Sequence, residues 1–116
     1  MKNSKHGKFL RIHPKNHGQV DPDGGKGEFA QWHTEKANGN WKFKNHKSGK
    51  YLRIKDDKTV DVQGTGGPWT IFKAHGSGND RKLESVKVPG RYIAVRNGQV
   101  TTGNGGPFTL FNFHRN

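Results

Sequence analysis

The chain has no cysteine, few hydrophobic residues and no long apolar run. Without cysteine, no disulfide can hold the fold and no thiol chemistry is available. Only 28% of the 116 residues are hydrophobic, so we expect one small core and a single domain, 1–116. No apolar stretch is long enough to cross a bilayer, and the N-terminal Met1-Lys2-Asn3 is not followed by the apolar region of a signal peptide. These absences favour a cytoplasmic location and leave export by an unconventional route open.

Acidic residues are also scarce. Nine acids stand against 21 lysines and arginines, which gives a formal net charge of +12, and the seven histidines can add to it in acid. A surface of this sign favours polyanionic partners. Nucleic acid, sulfated glycan, acidic lipid headgroups and an acidic protein such as an actin filament all fit, and so does a role in solubility alone. Charge by itself does not choose among them.

What the sequence does contain is a repeat. The motif Gly49-Lys50-Tyr51-Leu52-Arg53-Ile54 has counterparts that begin at Gly7 and Gly90, at intervals of 42 and 41 residues. A second marker, a valine, recurs every 40 residues, at Val20, Val60 and Val100. A glycine pair followed by aromatic and aliphatic residues completes each unit. A period near 40 with short strands inside it predicts a closed array of three units, about 1–36, 37–78 and 79–116.

Each unit contains four short strand candidates, and no stretch shows a helical period. In the second unit the strands are expected at 41–45, 50–54, 59–62 and 69–73. The polar run Lys55-Asp56-Asp57-Lys58 is the expected turn of the hairpin between the middle two strands. The other hairpin turns are expected at 13–18 and 96–98, and the joins between units at 38–39 and 76–79. The glycine-proline turns that enter the fourth strand are expected at 66–68 and 105–107.

Alternation along the motif strand predicts which side chains form the core. Six aliphatic residues fall on the inward parity: Leu10, Ile12, Leu52, Ile54, Ile93 and Val95. Arg11 and Arg53 fall on the outward parity, together with the motif aromatics, which we expect to be partly covered. Of the three tryptophans, Trp32 and Trp69 are expected at the core or the rim of the fold, and Trp41 is expected to be exposed.

Three units of about 40 residues with four short strands each are similar to a β-trefoil, an all-β fold in which a six-stranded barrel is capped by three hairpins. The stretch 49–54, followed by Lys58-Thr59-Val60, resembles the units of hisactophilin and fascin. The stretch 9–14, followed by Val20-Asp21, resembles the first unit of the fibroblast growth factors, and 98–107 resembles their last unit. The first resemblance implies binding to actin or membranes, and the second implies binding to heparan sulfate.

The densest basic segment is the expected polyanion-binding site. It consists of seven cations: Lys42, Lys44, Lys47, Lys50, Arg53, Lys55 and Lys58. Lys42 and Lys44 share one face of a strand, and the next strand would bring Arg53 close to them if the two strands pair. Such a patch could bind phosphates, sulfates or acidic side chains. The plain alternative is a solvated face without a ligand.

Neither catalysis nor a metal or other cofactor is indicated. His13 and His17 have the spacing of helical metal ligands, but Pro14 excludes a helix there. The carboxylate pairs at 21 and 23 and at 56 and 57 stand in turns, where aspartate is favoured by its backbone hydrogen bonds. No serine lies in a pattern that suggests a nucleophile and its base. We therefore expect no enzyme activity, and ordinary surface histidines elsewhere.

These observations predict a monomeric binding module rather than an enzyme. The first expectation is that its basic surface docks on actin or on an anionic membrane, in the manner of hisactophilin and fascin. The alternative is a glycan-binding module that recognises heparin, another sulfated glycan, or a sugar in a lectin-type pocket. Nucleic acid is a weaker expectation, because the chain shows no evident stripe of aromatic and basic residues.

Overall fold

The protein is built from antiparallel strands. A computed structural model describes residues 2–3, 7–25, 27–76, 80–106 and 110–112. Within them the chain forms two 3-10 turns, Glu28–Ala30 and Pro68–Thr70, and twelve strands: β1 (Lys2–Asn3), β2 (Phe9–His13), β3 (Asn16–Gly24), β4 (Trp32–Ala37), β5 (Asn40–Asn45), β6 (Tyr51–Ile54), β7 (Val60–Gly64), β8 (Phe72–His75), β9 (Asp80–Ser85), β10 (Tyr92–Arg96), β11 (Gln99–Gly103) and β12 (Leu110–Asn112). The prediction of an all-β fold is confirmed.

Three hairpins, β2–β3, β6–β7 and β10–β11, contain the repeated motif strands. Each hairpin has its turn within the range that the sequence predicts. Lys58 closes the β6–β7 turn with a φ of 67°, and Asn97 and Gly98 have φ angles of 51° and 71° in the β10–β11 turn. These values lie in the left-handed region that tight hairpin turns require. The first turn was predicted over 13–18 but is shorter. It consists of residues 14–15, and β3 already begins at Asn16.

The other six strands pair in one continuous path, in the order β4, β5, β8, β9, β12 and β1. A hairpin is attached to this path at β1, β5 and β9, which pair with β2, β6 and β10. The hairpins also contact one another, because β3 meets β7 and β11 meets both. Between the described residues no pairing joins β4 to β1, so the path is open at that point.

The motif strands supply much of the core. All six aliphatic residues that alternation assigned to it are at most 2% exposed: Leu10, Ile12, Leu52, Ile54, Ile93 and Val95. Phe43, Phe72 and Phe111 are also buried, and the ring centroids of Phe43 and Phe72 lie 5.9 Å apart. Burial of one such side chain stabilises the fold by about 1.5–3 kcal/mol. The predicted inward parity of the motif strand is confirmed.

One predicted strand boundary is wrong. The sequence predicts that the fourth strand of the second unit begins at Trp69, but Trp69 lies on the 3-10 turn Pro68–Thr70 and β8 begins at Phe72. The backbone N–H and the hydroxyl of Thr70 both donate to the carbonyl of Gly67, at 3.0 and 2.5 Å, and Thr70 is buried. These bonds close a turn before the strand can begin, and they remove Trp69 from the sheet.

The remaining turn predictions lie partly inside the described residues. Asn38 and Gly39 form the expected turn, between β4 and β5, with φ angles of 53° and 83°. Of the turns expected at 76–79 and 105–107, residues 77–79 and 107 lie outside the described part of the chain. The glycine of the second of these turns, Gly105, has a φ of 96°.

Candidate functional site

Two of the three hairpins carry an arginine-aspartate pair at the same position. In β2–β3, Arg11 lies opposite Asp21 and donates from Nε to Oδ1 at 2.8 Å. In β6–β7, Arg53 lies opposite Asp61 and donates to both carboxylate oxygens, at 2.7 and 3.2 Å. The corresponding cross-strand positions of β10–β11 are Ala94 and Thr101. The third hairpin therefore lacks this pair.

The arginine of the second pair, Arg53, lines an open pocket with a volume of about 360 Å³. One aromatic ring and four charged side chains line it: Trp69, Arg53, Lys55, Asp56 and Asp57. Strand β6 supplies the arginine, the residues after it supply the lysine and both aspartates, and the second 3-10 turn supplies the tryptophan. We call this cavity the Trp69 pocket. Its lining comes from two segments that the sequence alone does not place together.

Hydrogen bonds favour the charged forms of two side chains in the pocket. The Asp61 carboxylate raises the pKa of Arg53, and Lys55 Nζ lies 3.6 Å from the same carboxylate. The hydroxyl and the backbone N–H of Thr59 donate to Asp57 Oδ1 at 2.6 and 3.1 Å, and they lower the pKa of Asp57. Both side chains are thus charged at neutral pH, and each is held in position by a bonded neighbour.

The Trp69 pocket is balanced in charge. Arg53 and Lys55 stand against two carboxylates, and the side chain of Asp56 makes no hydrogen bond or ion pair with any residue the structure describes. Trp69 is partly buried, and Lys87 Nζ lies 5.5 Å from its ring centroid. An aromatic ring beside charged donors and acceptors suits a ligand with one nonpolar face and hydrogen-bonding groups at its edge.

The seven cations predicted to bind polyanions are spread over several parts of the surface. Two line the Trp69 pocket, two line a second cavity, two lie around Tyr51 and one is in the β6–β7 turn. In that order they are Arg53 and Lys55, Lys47 and Lys50, Lys42 and Lys44, and Lys58. Binding of a polyanion by this set stays a prediction.

The pairing of β5 with β6 explains this distribution. The two strands pair at Lys44 and Tyr51, whereas Arg53, two residues further on, pairs with Asp61 on β7. Lys44 Nζ lies 6.0 Å from the Tyr51 ring centroid. The Tyr51 hydroxyl donates to the Glu35 carboxylate at 2.9 Å, and this bond raises the pKa of Tyr51. A carboxylate therefore lies close to these cations as well.

One of the three tryptophans departs from the sequence prediction. Trp41, which was expected to be exposed, is partly buried and packs against the core. Trp32 is partly buried as expected and donates from Nε1 to the carbonyl of Leu10 at 3.0 Å. Trp69 is also partly buried as expected, and it lines the Trp69 pocket. One signal could have identified it: the second unit has tryptophan where the first 3-10 turn has Phe29.

No group of three or more histidine, aspartate or glutamate side chains within the described residues could hold a metal ion. His13 Nδ1 accepts the backbone N–H of Lys15 at 3.1 Å, and His17 lines the second cavity. His6 and His114 lie outside the described residues. None of the described helical segments is long and apolar enough to span a bilayer.

Comparisons with known proteins give a match in structure only. No family model and no curated protein matches the sequence, whereas 122 chains of solved structures match the fold. One belongs to a GlcNAcα1-4Gal-releasing endo-β-galactosidase from Clostridium perfringens, with a TM-score of 0.79 and 20% identity over 97% of this chain. The chain spans 31% of the length of that enzyme chain. The likeness shows a shared β-rich fold and gives no specific support to the resemblance to hisactophilin, fascin or the growth factors.

Proposed function

We propose that the chain is a non-enzymatic glycan-binding module and that the Trp69 pocket holds a neutral sugar. The pocket is the observation that carries the proposal. A pyranose ring offers a nonpolar C–H face that can pack on an indole, and its hydroxyls both donate and accept hydrogen bonds. Arg53 and Lys55 can donate to those hydroxyls, and the carboxylate of Asp56, which has no partner among the described residues, can accept from one.

The charge balance of the pocket favours a neutral sugar over an acidic one. Asp56 and Asp57 would repel a sulfate or a carboxylate, whereas a hydroxyl is compatible with both signs of charge. The pocket is open, and it offers one ring and a few hydrogen bonds. A net binding free energy of about 4 kcal/mol, which corresponds to a Kd of about 1 mM, is the expected scale for one sugar.

The same proposal extends to the architecture, a single β-trefoil domain with units 1–36, 37–78 and 79–116. The repeats at intervals of 42 and 41 residues support it, as do the hairpins attached at β1, β5 and β9 and their mutual contacts. The trefoil adds closure between β4 and β1, which completes a six-stranded barrel capped by three hairpins. The second unit combines the arginine-aspartate pair with tryptophan, so we expect one site of this kind.

The structural neighbour gives the proposal further support. That protein is named for an activity on a glycan, and this chain resembles a part equal to 31% of its length. A segment of that size within a larger carbohydrate-active enzyme is consistent with a glycan-binding part. The prediction of a non-enzymatic role is therefore kept as part of the proposal.

The first expectation from the sequence, docking on actin or an anionic membrane, gains no support from the structural match. It stays a prediction, together with a monomeric state and a cytoplasmic location. Salt dependence distinguishes docking on actin or a membrane from binding of a neutral sugar. Contacts between exposed charges weaken as ionic strength rises, whereas packing of a sugar on a tryptophan does not. The binding experiment therefore includes two salt concentrations.

The test is an NMR titration of the 15N-labelled protein with galactose, N-acetylglucosamine and GlcNAcα1-4Gal, after a glycan array has ranked neutral and sulfated sugars. We expect shifts at the Trp69 indole and along 53–57 that persist at moderate salt. Trp69→Ala and Arg53→Ala should each weaken binding by about tenfold, since each removes a contact worth about 1.4 kcal/mol.

Arg11→Ala is the matched control, because it removes the same kind of ion pair from the corresponding position of the first hairpin. It should leave sugar binding unchanged. The proposal fails if Trp69→Ala, shown to be folded, binds the sugar as tightly as the parent chain. It also fails if the protein holds only polyanions and releases them at moderate salt, which is the outcome expected for docking on actin or a membrane.

A further inference from the structure

A second cavity, of about 440 Å³, differs from the Trp69 pocket in charge. It lies between the first hairpin, the turn that joins β5 to β6, and strand β7. Its lining consists of Asn16, His17, Gly18, Lys47, Ser48, Lys50, Val62 and Gln63. Two lysines, a histidine and neutral polar groups are present, and none of the described residues that line it carries a carboxylate. We call it the cationic cavity.

A buried side chain fixes the turn that carries the two lysines. Asn45 is 0% exposed, and its Oδ1 accepts the backbone N–H groups of Lys47 and Ser48 at 2.9 and 3.1 Å. Its Nδ2 donates to the carbonyl of Phe29 at 3.0 Å, which ties the turn to the first 3-10 turn. The backbone that presents Lys47 is therefore held in place before any ligand arrives, and this reduces the entropy lost on binding.

The opposite wall of the cavity is formed by close contact between two hairpins. A Cβ at Gly18 would lie 2.5 Å from Gln63 Nε2, so the absence of a side chain at residue 18 allows this approach. Asn16 Oδ1 accepts the backbone N–H of Gly18 at 3.2 Å, and the His17 ring lies 5.5 Å from that of Phe29. The first hairpin and strand β7 thus supply polar groups to this wall, and contacts within the protein hold both segments in place.

The lysines of the cavity are only weakly neutralised. Lys47 Nζ lies 3.4 Å from Glu28 Oε1, but the two side chains are 43% and 55% exposed, and an ion pair as exposed as this contributes little. Lys50 is exposed and makes no ion pair with any residue the structure describes. Both ammonium groups can therefore bind an incoming anion.

We propose that the cationic cavity binds a sulfate or carboxylate group carried by a glycan, as a second subsite beside the Trp69 pocket. Two lysine ammonium groups and the amides of Asn16 and Gln63 can donate to the anion, and no described residue of the lining opposes it with a negative charge. That the anion belongs to a glycan rests on the proposed function, whereas binding of the anion itself rests on this lining alone. The two pockets would then bind different parts of one acidic glycan.

The test compares a heparin-derived hexasaccharide, which carries sulfates, with a hyaluronan hexasaccharide, which carries only carboxylates, using the intact chain in NMR and calorimetry. Shifts should centre on 16–18, 47–50 and 63. Lys47→Gln with Lys50→Gln should weaken binding of the preferred fragment by about tenfold or more, as expected for two charge-assisted contacts. Because both side chains are exposed, this variant should keep its fold.

The matched control is Lys8→Gln with Lys73→Gln, which removes the same charge from two other exposed lysines. Unchanged affinity in the control supports the subsite, and an equal loss in both double variants overturns it in favour of general charge attraction. Binding of phosphatidylserine vesicles or filamentous actin, but not the fragments, through Lys47 and Lys50 also overturns the glycan assignment. Trp69→Ala separates the two proposals, because it should weaken binding of neutral sugar by about tenfold and leave binding at the anion subsite unchanged.

Discussion

Replacement of Asn45 by alanine should destabilise the protein by about 3 kcal/mol. The residue is 0% exposed, and its side chain satisfies three backbone groups: the N–H groups of Lys47 and Ser48 and the carbonyl of Phe29. Each net hydrogen bond contributes about 1 kcal/mol, and a group left unpaired in a buried position costs at least as much. For a domain whose total stability is about 5–15 kcal/mol, this is a large fraction.

The measurement is equilibrium urea unfolding followed by tryptophan fluorescence, with the free energy of unfolding extrapolated to water. Ser85→Ala is the graded control. Ser85 is 1% exposed and accepts one backbone N–H, that of Val88, at 2.9 Å, so its loss should cost about 1 kcal/mol. Asn104→Ala is the exposed control, because Asn104 is exposed and its Oδ1 accepts from the Arg91 side chain, and it should cost under about 0.5 kcal/mol. The reasoning is refuted if Asn45→Ala costs no more than Ser85→Ala.

Two further predictions concern pH and backbone strain. The Gly90 N–H and His75 donate to Glu84 and lower its pKa. The ionised Glu84 side chain therefore contributes to the free energy of unfolding above about pH 4.3, the pKa of glutamate in an unfolded chain. This contribution is lost as the pH falls through the lower pKa of Glu84 in the folded protein. Glu84→Gln should therefore flatten the acid side of a plot of unfolding free energy against pH, and an unchanged slope would contradict this. Gly98→Ala, at a φ of 71°, should cost about 1 kcal/mol in urea unfolding, whereas Gly27→Ala, at a φ of −73° with open space around it, should be close to neutral.

Local rules predicted the hairpins and their buried residues. The aliphatic residues of the motif, such as Leu52 and Ile54, are two positions apart, and a strand directs such residues to one face. Asn97-Gly98 predicted a tight turn because both residues tolerate positive φ. The same rules failed at Trp69, where the bonds of Thr70 to the Gly67 carbonyl close a 3-10 turn in place of a strand.

The sequence by itself thus determined the all-β character, the repeat and the inward face of the motif strands, because each depends on neighbours within a few residues or on an interval that can be counted. Tertiary structure decided what surrounds each charge. Seven cations within one basic segment suggested a single patch, yet the fold places Arg53 beside Asp61 and Trp69, and places Lys47 and Lys50 opposite Gln63. These neighbours come from separate strands and turns, so only the packing of the hairpins produces one balanced pocket and one cationic cavity from the same run of residues.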